Sequence, residues 1–229
     1  MHELPPPLPP PLPHRERTVG QLVAETIRFY GDNFWRALPL GVPLALSTQV
    51  ILGLGINTQV AVLCLFAPLF SAAFVRASLI VLEEHQSRRR ILSVWGLGVL
   101  IWIPAPVLLR GYLLPGLAWL AFWGLAVPVA IREGSGARSS LARARRLATA
   151  DYVHALGALC ALVLVVELSA GVLSALLHGQ GEATRRSAGF LALLVLSPLL
   201  YLGSALLYLD QAARVGSDQR SDEFQATLE

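Results

Sequence analysis

The chain has 229 residues, of which 55% are hydrophobic and only 14% charged, and its mean hydropathy is +0.59. Polar residues so scarce cannot cover the surface of a soluble domain of this size, so the composition excludes an ordinary globular protein and points to a membrane protein. The net charge of +3 comes from arginine alone, since the sequence contains no lysine, and no basic patch is interleaved with stacking aromatics. Anionic lipid headgroups, and not nucleic acid, are therefore the expected charged partner.

Residues 4–13, LPPPLPPPLP, hold seven prolines in ten positions and cannot form a helix or a central strand. They predict a proline-rich disordered tail over residues 1–17, which formally contains PxxP and so offers a second, weaker reading as a docking peptide. No apolar run occurs in the first 30 residues. The first, near Ala37, is expected to stay in place as an uncleaved span.

Thr18 followed by Gln21 makes a capping box. Val19, Val23, Ile27, Tyr30 and Phe34 then recur at helical spacing, with Gln21, Glu25, Arg28 and Asp32 on the other side. This predicts an amphipathic helix in the membrane interface, apolar face toward the bilayer.

Beyond it the charges are segregated. Residues 37–75 contain no Asp, Glu, Lys or Arg, 91–131 only Arg110, 152–177 only Glu167, and 187–209 none. Crossing about 30 Å of hydrocarbon takes about 20 apolar residues, so these runs are single or paired spans. GLGINTQ at 53–59 splits the first into spans near 37–55 and 59–82, and LLRGYLLPG at 108–116 splits the second into 91–109 and 112–131. Single spans near 153–177 and 188–209, joined by HGQGEATRRS at 178–187, complete the pattern. The expected fold is all-α: a polytopic membrane protein with six transmembrane helices over residues 18–210, amphipathic interfacial helices before spans 1 and 5, and a polar tail at 211–229. Six spans put both termini on one side, where 15 of the 18 arginines fall; the other side keeps Arg110, Arg185 and Arg186. The positive-inside rule makes the arginine-rich side cytoplasmic.

One stretch is echoed. RFYGDNFWRALPL at 28–40 overlays RLATADYVHALGA at 146–158 with an offset of 118 residues, pairing Arg28 with Arg146, Asn33 with Asp151 and Phe34 with Tyr152. Each copy follows an amphipathic stretch and leads into a span, which marks a repeated membrane-leading joint. Phe29, Tyr30, Phe34 and Trp35 suit headgroup depth, Arg28 and Arg36 suit snorkelling to phosphate, and Asn33 and Asp151 suit the turn. Arg88, Arg89 and Arg90, like Arg143, Arg145 and Arg146, are likewise expected to meet anionic lipid.

Little reactive chemistry is visible. The five histidines are scattered at 2, 14, 85, 154 and 178, Cys64 and Cys160 sit singly in apolar runs, and HExxH, GxSxG, P-loop and GxGxxG patterns are absent. No catalytic residue, metal or cofactor is expected. Glu167, alone in CALVLVVELSAGVLSALL, has two readings: an intramembrane site, with Ser47, Thr48 and Gln49 of the first span as companions, or a carboxyl that binds helices together. Pro43, Pro68, Pro104, Pro106, Pro128 and Pro198 predict kinked spans.

RFYGDNFWRALPLGVP, SSLARARRLATADY and the terminal LLYLDQAAR at 206–214 resemble the bacterial multi-pass family of glycerophosphoryl diester phosphodiesterase membrane domain proteins, over about residues 18–216. Of that family's closing YxDxRxR pattern, Tyr208, Asp210 and Arg214 match, while Ala212 replaces the first arginine. Catalytic members owe their activity to an attached soluble domain, so the resemblance implies membrane architecture without hydrolysis. The sequence thus points to a non-enzymatic protein of a bacterial cell membrane: an organiser, accessory subunit or lipid-facing regulator, with a second membrane protein as a further partner. A small-solute or lipid transporter using Glu167 is the alternative, and an intramembrane enzyme the third.

Overall fold

A computed structural model describes residues 17–109 and 113–226, the last ten as backbone. The proline-rich stretch and the turn at Arg110–Tyr112 lie outside the described residues. The ordered elements are α1 (Val19–Asp32), α2 (Phe34–Ala37), a 3₁₀ turn (Leu38–Gly41), α3 (Val42–Ile51), α4 (Ile56–Leu82), α5 (Arg88–Trp102), α6 (Pro104–Leu109), α7 (Leu113–Trp123), α8 (Ala126–Glu133), α9 (Ala137–Ala150), α10 (Tyr152–Leu176), α11 (Glu182–Leu196) and α12 (Pro198–Ala226).

Five helical segments are long and apolar enough to cross a membrane: Ile56–Leu82, Arg88–Leu109, Leu113–Glu133, Tyr152–Leu176 and Glu182–Gly216. The protein is therefore an all-α polytopic membrane protein. Three of the expected prolines stand at breaks in these segments, whereas Pro68 lies inside the unbroken 27-residue α4 and Pro106 inside α6. Pro104 follows the α5–α6 break, Pro128 removes the donor for Gly124 at the α7–α8 break, and Pro198 opens α12 after the turn at Ser197.

The predicted first span differs. Residues 37–55 do not form one helix; α2, the 3₁₀ turn and α3 divide the stretch into pieces of four, four and ten residues. Pro39 and Pro43 fall four apart at the starts of the last two pieces, and each removes a backbone donor. Their echo positions in α10 are Gly157 and Ala161, and α10 runs unbroken for 25 residues. The loop expected at 53–59 shrinks to the turn after α3, with Gly53 at φ +79°, because Gln59 sits in α4 and donates its side-chain amide back to Leu54 O at 2.9 Å.

The capping box at Thr18 and Gln21 forms as expected. The face that α1 buries is nonetheless set by its neighbours. Leu22, Thr26 and Tyr30 are buried while Ile27 is 49% exposed, because α1 runs along α12 and α10 instead of standing apart from the bundle. Arg17 meets Asp210, Thr26 lies beside Gly203, and the Tyr30 hydroxyl donates to Val195 O at 2.7 Å. Burial holds the Tyr30 phenol above its ordinary range, so it stays a donor at neutral pH. A side chain at Gly203 would collide with Leu162 of α10, and one at Gly41 with the backbone of Leu194, at 2.0 Å from its carbonyl oxygen. Gly41 thus lets the 3₁₀ turn pack directly on the α11 backbone, and Gly203 lets α12 receive the Leu162 side chain.

The two copies of the echo form helices of equal length in the same register: α1 is followed by Asn33 and α9 by Asp151, after 14 residues each. Asp151 caps α10 by accepting from His154 N–H at 3.1 Å. Asn33 occupies the turn but returns its amide to Phe29 O, without capping α2.

Candidate functional site

Two arrangements of polar side chains stand out from the apolar bundle. One is at the edge of a cavity of about 240 Å³ walled by α3, α4, α5, α6, α7 and the turn after it, α10 and α12. Helical spacing places Leu159, Val163 and Glu167 of α10 in one stripe along its wall. Glu167 is exposed, so it stands at the rim, among the lipid-side residues Leu164 and Leu168.

The lining also includes Phe70, Trp102 and Tyr201, an aromatic run with ring centroids 5.3 Å and 6.2 Å apart. Two of its polar atoms lack protein partners. The Trp102 indole N–H is buried without an acceptor, whereas Trp95 donates to Pro68 O and Trp119 to Ile101 O, both at 2.9 Å. The Tyr201 hydroxyl makes no hydrogen bond to a described residue although the side chain is only 4% exposed. Glu167 likewise forms no ion pair or hydrogen bond with a described residue. Buried donors left without acceptors are uncommon in folded proteins.

The companions suggested for Glu167 are not gathered around it. Ser47 and Thr48 both donate to Leu44 O, at 3.0 and 2.8 Å, and Gln49 donates to Arg186 O at 3.1 Å. The cavity that reaches Glu167 is apolar, not the polar chamber expected of a solute pathway.

The second arrangement is a polar knot at the arginine-rich end. Arg17 pairs with Asp210 at 3.3 Å and with Glu25 at 3.8 Å, and Arg214 pairs with Asp151 at 2.9 Å while donating to Arg17 O. Gln211, also fully buried, donates to Asp151 O. These contacts fasten the residue before α1, the α9–α10 joint and α12 to one another, and they put the N-terminal segment and α12 at the same end of the molecule.

Around the knot the arginines divide into two sets. Arg90 donates to Ala130 O and lies against Gly134, Arg132 pairs with Glu84 at 2.7 Å, and Arg143 pairs with Glu133 at 3.1 Å. Arg88, Arg89, Arg138, Arg145 and Arg146 are exposed and form no ion pair with a described residue, as do Arg28 and Arg36, with Trp35 81% exposed beside them. Of the expected lipid-facing arginines, Arg90 and Arg143 are therefore engaged within the protein.

Sequence reasoning missed Arg17, Trp102 and Tyr201. Arg17 and Asp210 both flank apolar periodic stretches, which was a usable signal; the two aromatics carried none. Among the described residues no group of three His, Cys, Asp or Glu side chains is arranged to hold a metal. Comparison with family models, curated proteins and solved structures returns no match to this chain.

Proposed function

We propose that the protein is a non-enzymatic, lipid-facing component of a bacterial plasma membrane, acting as an organiser, accessory subunit or regulator. In this reading the chain crosses six times, the broken Phe34–Ile51 segment included, with both termini cytoplasmic and the likeness to the phosphodiesterase membrane domains confined to architecture. The observation that carries it is the division of arginines at one end. One set is spent on protein carboxylates and carbonyls; the other is left exposed, without carboxylate partners among the described residues, at the same end as the polar knot. An array of such guanidinium groups beside an apolar belt is suited to anionic phospholipid headgroups, each group contributing about 1 kcal/mol near the surface. Of the transport readings, the cavity that reaches Glu167 supports a lipid and not a small polar solute, since its walls are apolar.

The lipid reading is tested with purified protein exchanged into mixed phosphatidylglycerol and phosphatidylcholine. The wild type is expected to retain phosphatidylglycerol above its bulk fraction by native mass spectrometry. Changing Arg88, Arg89, Arg138, Arg145 and Arg146 together to Gln is expected to abolish that enrichment, as is raising the salt during exchange. Equal retention by wild type and variant would exclude the array as a lipid site.

A further inference from the structure

We propose that the cavity beneath Glu167 is a binding site for a monocationic amphiphile, a molecule with an apolar body and one ammonium group. The site is independent of the arginine array. Three observations define its chemistry. The walls are apolar, and the volume of about 240 Å³ exceeds the ~150 Å³ that holds benzene, leaving room for roughly ten carbons. The single ionisable group at the rim is an acid with no cation paired to it among the described residues, so the missing counter-charge is positive. The wall includes the Phe70–Trp102–Tyr201 run, whose rings offer a large apolar surface to the ligand's body.

The partnerless Trp102 and Tyr201 donors add a second kind of evidence. Both residues belong to the cavity wall, and a few polar groups in a mostly apolar lining are usual for a small-molecule site. An anionic amphiphile is disfavoured by the same carboxylate, and a neutral one leaves Glu167 uncompensated. Because the carboxyl stands on the apolar belt, the ligand enters sideways from the bilayer, tail first into the cavity, and its ammonium group stops at the rim. A carboxyl alone in hydrocarbon is costly as an anion, so its charge is best tolerated when the ligand's cation sits against it.

The test uses the full chain in phosphatidylcholine nanodiscs, with empty nanodiscs subtracted as the partition background. Decyltrimethylammonium is expected to bind saturably with one molecule per chain, at least tenfold more tightly than 1-decanol, with decanoate showing no saturable binding. Glu167→Gln is expected to reduce decyltrimethylammonium affinity to that of 1-decanol, and Glu167→Asp, which restores a carboxylate, to recover most of the preference. Val163→Phe, which fills the wall below the rim, is expected to weaken both ligands at least tenfold. Thermal unfolding of each variant identifies any that fails to fold, and the Asp and Gln pair is the decisive comparison. The proposal is overturned by no saturable excess over empty nanodiscs, by equal affinity for cation and alcohol, by a preference that survives Glu167→Gln, or by cation binding that Val163→Phe leaves unchanged.

Discussion

Asp210 is fully buried and Arg17 only 6% exposed, and they join parts of the chain 193 residues apart. Two charges so placed have lost most of their hydration, so removing one is costly even though Arg17 also faces Glu25. Asp210→Asn is therefore expected to destabilise the fold by on the order of 3 kcal/mol, and the double variant with Arg17→Gln to recover part of that loss. The contrast is Glu182–Arg186, an i, i+4 pair with both side chains more than half exposed, where Arg186→Gln is expected to cost less than ~1 kcal/mol. Unfolding in mild detergent, followed by circular dichroism across the four proteins, checks the ranking. Equal losses for Asp210→Asn and Arg186→Gln would mean that the knot is not a structural fastening.

The two copies of the membrane-leading joint show how little separates a broken helix from a whole one. Each begins with a 14-residue helix and turns at a single Asn or Asp, but Pro39 and Pro43 stand in the first where Gly157 and Ala161 stand in the second. Pro39→Gly with Pro43→Ala, tested in a Cys64→Ala, Cys160→Ala background, is expected to join α2 to α3. Spin labels at the exposed positions Trp35 and Val50 then move apart toward the ~22 Å of a straight helix of that length. An unchanged distance would assign the break to the close contact of Gly41 with Leu194 instead of to the prolines. The same element explains what was legible in the sequence. Charge-free runs located every apolar segment, because burying an unpaired charge in hydrocarbon is costly wherever it occurs. The break at Leu38–Gly41 was only partly legible: Pro43 predicted a kink, but proline is tolerated in membrane helices, so the sequence does not say that Pro39 and Pro43 divide the stretch into three pieces. The site divided in the same way. Glu167 announced itself as a lone charge, while Trp102 and Tyr201 look like ordinary packing until the absence of partners is seen in three dimensions.

At the scale of the whole molecule the arginines make the topology testable. The knot brings the segment before α1 and the middle of α12 together on the arginine-rich side. The connection between α4 and α5 lies at that end too, through the Glu84–Arg132 pair, and the connection between α10 and α11 lies at the other. Carrying fifteen arginines outward across a bilayer is opposed both by the cost of each charge in hydrocarbon and by the membrane potential, which favours positive charge inside. Single cysteines replacing His85 and His178, both exposed and one on each connection, report the outcome in the same background lacking Cys64 and Cys160. On intact cells an impermeant maleimide is expected to label position 178, and position 85 only after the membrane is permeabilised. The reverse pattern would place Arg88, Arg89, Arg138, Arg145 and Arg146 on the outer face, away from the negative surface potential of the cytoplasmic leaflet. The exposed guanidinium array would then have to be explained by some partner other than that leaflet's lipids.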